Sequence, residues 1–191
     1  MARKRAERIC MLAAAVFCGV GIAACAGESS KESRSAAPTF DRAFIDAMVP
    51  HHEAAVEMAD AARKEGLRQP VLARLARAIA RSQQREIEKM RAWREKWYGS
   101  TVIDPNGGSA IGLTPAEMGM SGHGTHQIMS GTDVDRAFAD AMIPHHEGAV
   151  KMAKLALRKA EHGELIELST HIIASQSAEI RILRRFSRKP R

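Results

Sequence analysis

The chain has 191 residues, of which 45% are hydrophobic, 27% charged and only 4% aromatic, and its formal charge is +7. Arg3, Lys4, Arg5 and Arg8, offset only by Glu7, crowd the first eight positions; without them about +4 remains, spread along the chain, which argues against a nucleic-acid-binding surface. The cysteines Cys10, Cys18 and Cys25 all lie near the start, so cysteine nucleophiles and thiolate metal sites are excluded from everything downstream.

The basic start is followed by an apolar run from Ile9 to Ala24. The run is too short, and too soon followed by polar residues, for a comfortable membrane span, and it fits a secretory signal. Ile22-Ala23-Ala24-Cys25 resembles the bacterial lipobox, in which cleavage precedes the cysteine and its thiol carries a diacylglyceryl group. The plainer alternative is an ordinary signal peptide ending in a chance cysteine. The lipobox reading makes residues 1–24 a lipoprotein signal peptide and Cys25 the lipid attachment. It places the mature chain at the outer face of the cell membrane, in the periplasm or cell envelope. Its only remaining thiol is then acylated, which suits an oxidising compartment. Residues 25–38, rich in Ser, Lys and Glu, read as a flexible tether reaching roughly 20 Å.

The folded part begins near Thr39 and is an internal duplication. Asp41-Arg42-Ala43-Phe44-Ile45-Asp46-Ala47-Met48-Val49-Pro50-His51-His52-Glu53 matches Asp135-Arg136-Ala137-Phe138-Ala139-Asp140-Ala141-Met142-Ile143-Pro144-His145-His146-Glu147. Extended to Ala59 and Ala153, the segments differ only at Ile45/Ala139, Val49/Ile143, Ala54/Gly148 and Glu57/Lys151. A second match pairs Leu75, Ser82, Gln83, Glu86 and Ile87 with Leu168, Ser175, Gln176, Glu179 and Ile180.

Ala, Leu, Met, Glu, Arg and Lys recur with helical spacing, and strand patterns are absent. Helices are predicted at about 39–65, 70–98, 133–161 and 163–187. Gly66 and Gly99 supply stops, Pro70 a start, and Gly163 separates the last two. Two antiparallel hairpins, in halves 39–98 and 133–187, predict an all-α four-helix bundle over 39–191. The basic residues from Arg181 to Arg191 suit a helix C-terminus. Residues 99–132 form a linker rich in Gly, Pro, Ser and Thr.

On the first helix, His52 falls about 40° to one side of Met48, and His51 and Met58 about 60° and 80° to the other, an arc of about 120° that also holds Phe44 and Ala55. Met142, His145, His146 and Met152 repeat the arrangement. Adjacent buried imidazoles are hard to satisfy locally, and neutral imidazole is a common metal ligand. Thioether sulfur is soft and uncharged, so Met with His and no thiolate points to Cu(I) or Ag(I). A methionine stripe alone is more often core filler. Pro50 and Pro144 precede the His pairs, where each either kinks a helix or starts one. Glu86 and Glu179, on the apolar stripes of the partner helices, are candidates to accept ring N–H bonds and orient the imidazoles, or else to pair with an arginine.

The pattern Asp-x-x-Phe-x-x-x-Met-[Val/Ile]-Pro-His-His-Glu-x-Ala-Val-x-Met-Ala, followed by Ser-Gln-x-x-Glu-Ile, resembles the bacterial family catalogued as domain of unknown function 305. The resemblance spans about residues 40–187. It implies a secreted or lipid-anchored ferritin-like bundle, with copper binding in some members. It also implies Met48, His51, His52, Met58, Met142, His145, His146 and Met152 as ligands. In the linker, Met118, Met120, His123 and His126 look like the Met/His strings of periplasmic copper proteins, and form a candidate weak metal site; an accidental composition is the alternative.

Three functions compete. The first is an extracytoplasmic, membrane-anchored protein that sequesters or buffers Cu(I), with silver as a second candidate and no catalytic cofactor. The second is a cell-envelope structural or interaction module whose Met/His motif only packs the bundle. The third is a ferritin-like metal oxidase, disfavoured because the Glu-x-x-His spacing of di-iron sites is missing. The chain therefore reads as a binder and not an enzyme. Oligomeric state is not legible.

Overall fold

A computed structural model describes residues 38–121, 124–130 and 133–187. The signal, the tether, Cys25, His123 and the basic residues from Arg188 lie outside the described residues. All regular structure within them is helical: α1 (Phe40–Glu65), α2 (Pro70–Tyr98), α3 (Gly107–Ala110), α4 (Gly124–Ser130), α5 (Val134–Lys159) and α6 (Gly163–Leu183). Among them, no helix is long and apolar enough to cross a membrane.

Local chemistry sets the ends of the long helices. Thr39 and Asp133 cap α1 and α5, their side chains accepting from the backbone N–H of Arg42 and Arg136. Gly66 (φ 91°) and Gly99 (φ 70°) close α1 and α2 in the left-handed conformation that other residues resist. Pro70 opens α2. α5 stops at Lys159 and α6 at Leu183, both a little short of expectation.

The first turns of α1 and α5 hold the opposite half of the duplication. Buried Asp41 accepts from the backbone N–H of Glu161 and His162, and its Oδ2 lies 2.7 Å from His162 Nδ1. Asp135 likewise accepts from the backbone N–H of Arg68 and Gln69. Each repeat thus fixes the interhelical turn of the other. The start of each central helix therefore lies near the end of its counterpart, which makes α1 and α5 antiparallel.

α1 packs on α2, α5 on α6, and α1 on α5. α1 buries more than one stripe, since Ile45 and Val49 are as inaccessible as Phe44 and Met48. The reason is the linker, whose helices α3 and α4 lie against α1, α4 reaching α5 as well. Each fully buried Phe, Ile or Met is worth roughly 1.5–3 kcal/mol. The linker is thus a packed layer with its own core residues, Ile111, Leu113 and Ile128.

Pro50 and Pro144 both sit inside uninterrupted helices, so neither starts one. The linker backbone closes on both proline turns. A Cβ on Gly107 would lie 2.5 Å from the Ala47 backbone nitrogen, and one on Gly119 would lie 2.6 Å from the Pro144 carbonyl carbon. Gly119 also holds φ at 70°. Glycine at these points is a requirement of close approach.

Candidate metal centre

The two His pairs meet where α1 crosses α5. The His51 and His145 rings approach with centroids 3.7 Å apart and planes tilted by 34°. All four imidazoles are buried, none more than 3% exposed. Burial is the main reason that His51 is held down at about 3 and His145 well below the usual imidazole range; the neighbouring histidines push the same way. Both rings are therefore neutral at pH 7 and keep lone pairs for a ligand.

Tautomers follow from the partners. The carbonyl of Met118 can only accept, so His51 Nε2 donates to it at 2.9 Å and Nδ1 carries the lone pair. His52 Nε2 lies 2.7 Å from Glu86 Oε2, which turns its Nδ1 inward as the unbonded nitrogen. His146 Nε2 is 2.8 Å from Glu179 Oε2, an ion-pair distance, but the ring is out of line for a hydrogen bond. His145 has no hydrogen-bond partner at either nitrogen. Six buried imidazole nitrogens thus lack a hydrogen bond: Nδ1 of His51 and His52, and both nitrogens of His145 and His146. The repeat-related amides of Gln83 and Gln176, both 2% exposed, add further orphaned atoms. Buried polar groups are normally satisfied, so this concentration marks a place prepared for something else.

The four methionines are likewise buried, none above 4% exposed. Their grouping crosses the duplication. Met48 shares a core cluster with Met152 of the other repeat, and Met58 shares one with Met142. Antiparallel crossing of α1 and α5 is the cause. Among the described residues, no three His, Cys, Asp or Glu side chains converge as a ready metal site. Any metal held here would need thioethers beside imidazoles. That donor set suits a soft monovalent ion and not Zn(II) or Ca(II).

Glu86 is buried and bridges two histidines, His52 inside and the exposed His171 of α6 at 3.2 Å from Oε1. These contacts outweigh burial and lower the Glu86 carboxyl below its ordinary value. Sequence spacing gives no signal for His171, which has no counterpart in the first half. Met118, a linker ligand candidate in the sequence, offers its carbonyl to His51 and packs its side chain over Gly108. Met120 and His126 instead line a cavity with Met58 and His145.

Comparison with known proteins follows the same lines. A search of functionally curated proteins finds no match. Solved structures do match. CopM in its Cu(I)-bound form is 34% identical, with a TM-score of 0.64, covering 76% of this chain and 93% of that one. CopM in a silver-bound form, also 34% identical, gives a TM-score of 0.63 over the same shares. A DUF305 protein from Streptomyces coelicolor, 27% identical, gives 0.69 over 78% and 91%. The sequence matches the family pattern over residues 27–73 and again over 41–187, which takes in both repeats. The duplicated motif, the helical hairpins and these matches together make the chain a member of the family described as Domain of unknown function (DUF305).

Proposed function

We propose that this protein is an extracytoplasmic, lipid-anchored metal binder that sequesters or buffers Cu(I), and Ag(I) when present, through its duplicated Met-x-x-His-His-x5-Met motifs. The observation that carries this reading is the set of buried imidazole nitrogens of His51, His52, His145 and His146 that lack a hydrogen bond at the crossing of α1 and α5. Met48 and Met152 in one core cluster, and Met58 and Met142 in the other, supply the thioethers. Glu86 orients His52 through its hydrogen bond, and Glu179 stands 2.8 Å from His146 Nε2 in the equivalent place. The similarity to CopM, which has been crystallised in Cu(I)-, Cu(II)- and Ag-bound forms, supports the same ligand class. Export and anchoring rest on the basic n-region, the apolar run and the lipobox-like Ile22-Ala23-Ala24-Cys25. The protein is a binder and not a catalyst, in keeping with the missing Glu-x-x-His spacing.

The test is competition for Cu(I) against a colorimetric chelator under reductant, with the full chain in detergent beside a variant carrying His51→Ala, His52→Ala, His145→Ala and His146→Ala. Circular dichroism checks that the variant remains helical. Tight binding lost in the variant supports a bundle site. No binding by either protein returns the motif to core packing and leaves an envelope-interaction module as the better reading.

A further inference from the structure

The two repeats are alike in sequence but not in surroundings. The linker folds over the second proline turn and leaves a cavity of about 640 Å³ between α1, α4 and α5. Four of its lining residues carry soft or borderline donor atoms: Met58, Met120, His126 and His145. They descend from solvent to core. His126 is exposed, Met120 is half-buried, and Met58 and His145 are 4% and 3% exposed. His145 brings two nitrogens without a hydrogen-bond partner. Met58 sulfur rests against the backbone of Gly124, which places it beneath the start of α4.

The charge on the cavity wall is also asymmetric. In the first half, Asp46 is neutralised by buried Arg94, whose Nε donates to Oδ1 at 2.9 Å. The repeat puts Ser187 where Arg94 stands, and Ser187 donates to Asp140. Asp140 lines the cavity, and among the described residues no Lys or Arg pairs with it. A cation in the cavity would meet a carboxylate on one side and soft donors on the other.

We propose that this cavity is a single, asymmetric loading site for a soft monovalent cation, built from linker and bundle together. Met120 and His126 take the ion from solvent, and Met58 with His145 receive it at the crossing of α1 and α5. The inference rests on the Cu(I) reading above and goes beyond it. It adds ligands that the duplication does not contain.

The experiment follows transfer of Cu(I) from a chelator complex to the full chain in detergent by stopped-flow absorbance, with total bound metal measured at equilibrium. The variants are Met120→Leu with His126→Leu, and a control, Met129→Leu, whose side chain is exposed and lies outside the cavity lining. The double variant should load about tenfold more slowly or worse, and bind less metal, while the control matches wild type. Wild-type rate and stoichiometry in the double variant would overturn the loading site while leaving the buried centre intact. Failure of the wild-type chain itself to take Cu(I) would overturn both. Leucine is close in volume to both methionine and histidine, and unchanged circular dichroism separates a lost ligand from lost folding.

Discussion

Gly148 stands where the first repeat has Ala54, and the structure gives the reason. A Cβ on Gly148 would lie 2.8 Å from Met118 Cα and closer still to its carbonyl, whose oxygen accepts from His51. Gly148→Ala therefore pits two effects against each other. Alanine in a helix gains about 1 kcal/mol over glycine. The backbone at 118–119 must retreat, and losing the bond to His51 leaves a buried imidazole N–H unpaired, at about 1–3 kcal/mol. From these two effects the net expectation is a loss of about 0–2 kcal/mol, up to roughly 8 °C in Tm for a chain of this size. Further loss follows if Ile111, Leu113 and Ile128 are uncovered. The assays are urea unfolding and cleavage by a glutamate-specific protease after the exposed Glu117. Gly148→Ala should speed that cleavage. Ala54→Gly in the first repeat should cost about 1 kcal/mol of helix propensity and leave cleavage unchanged. A Gly148→Ala protein that is more stable than wild type and cut no faster would refute the linker packing described here.

Two further outcomes follow from buried charge. His51 is held near 3 in the folded chain against 6.5 when unfolded, so the unfolded chain binds its proton first as the pH drops. The penalty is absent above about pH 6.5, grows as pH falls and levels off near pH 3. It amounts to about 2 kcal/mol between pH 7 and pH 5. His145 shifts in the same direction and adds to it. Urea midpoints of metal-free protein at pH 7, 6 and 5 should fall steadily, and His51→Leu should flatten the slope; a pH-independent midpoint would count against neutral buried imidazoles. Arg94→Ala leaves the Asp46 carboxylate buried with only Arg42, 3.7 Å away, as a partner. The expected cost is about 3 kcal/mol, measured by urea unfolding, and a loss under 1 kcal/mol would contradict the burial of that pair.

The sequence by itself determined the helices and their duplication. Local signals do that: periodic apolar residues, Gly66 and Gly99 at helix ends, Pro70 at a start, and a motif repeated nearly intact. Helical arithmetic also placed Met48, His51, His52 and Met58 on a buried face, because 100° per residue is a property of the backbone alone. It could not say what that face meets. The tilted approach of His51 to His145, the gathering of Met48 and Met152 into one core cluster and the hold of Asp41 on the far turn join distant segments, fixed by how α1 crosses α5. The linker shows the limit most plainly. Its Gly, Ser and Thr look like a loose connector, yet its glycines let backbone lie on backbone at two proline turns. The Ala54/Gly148 difference was visible in the aligned repeats, but only the tertiary structure brings the Met118 carbonyl against one helix and not the other. A glycine chosen for close approach and a glycine chosen for flexibility are the same letter; the neighbour that distinguishes them is far away in sequence.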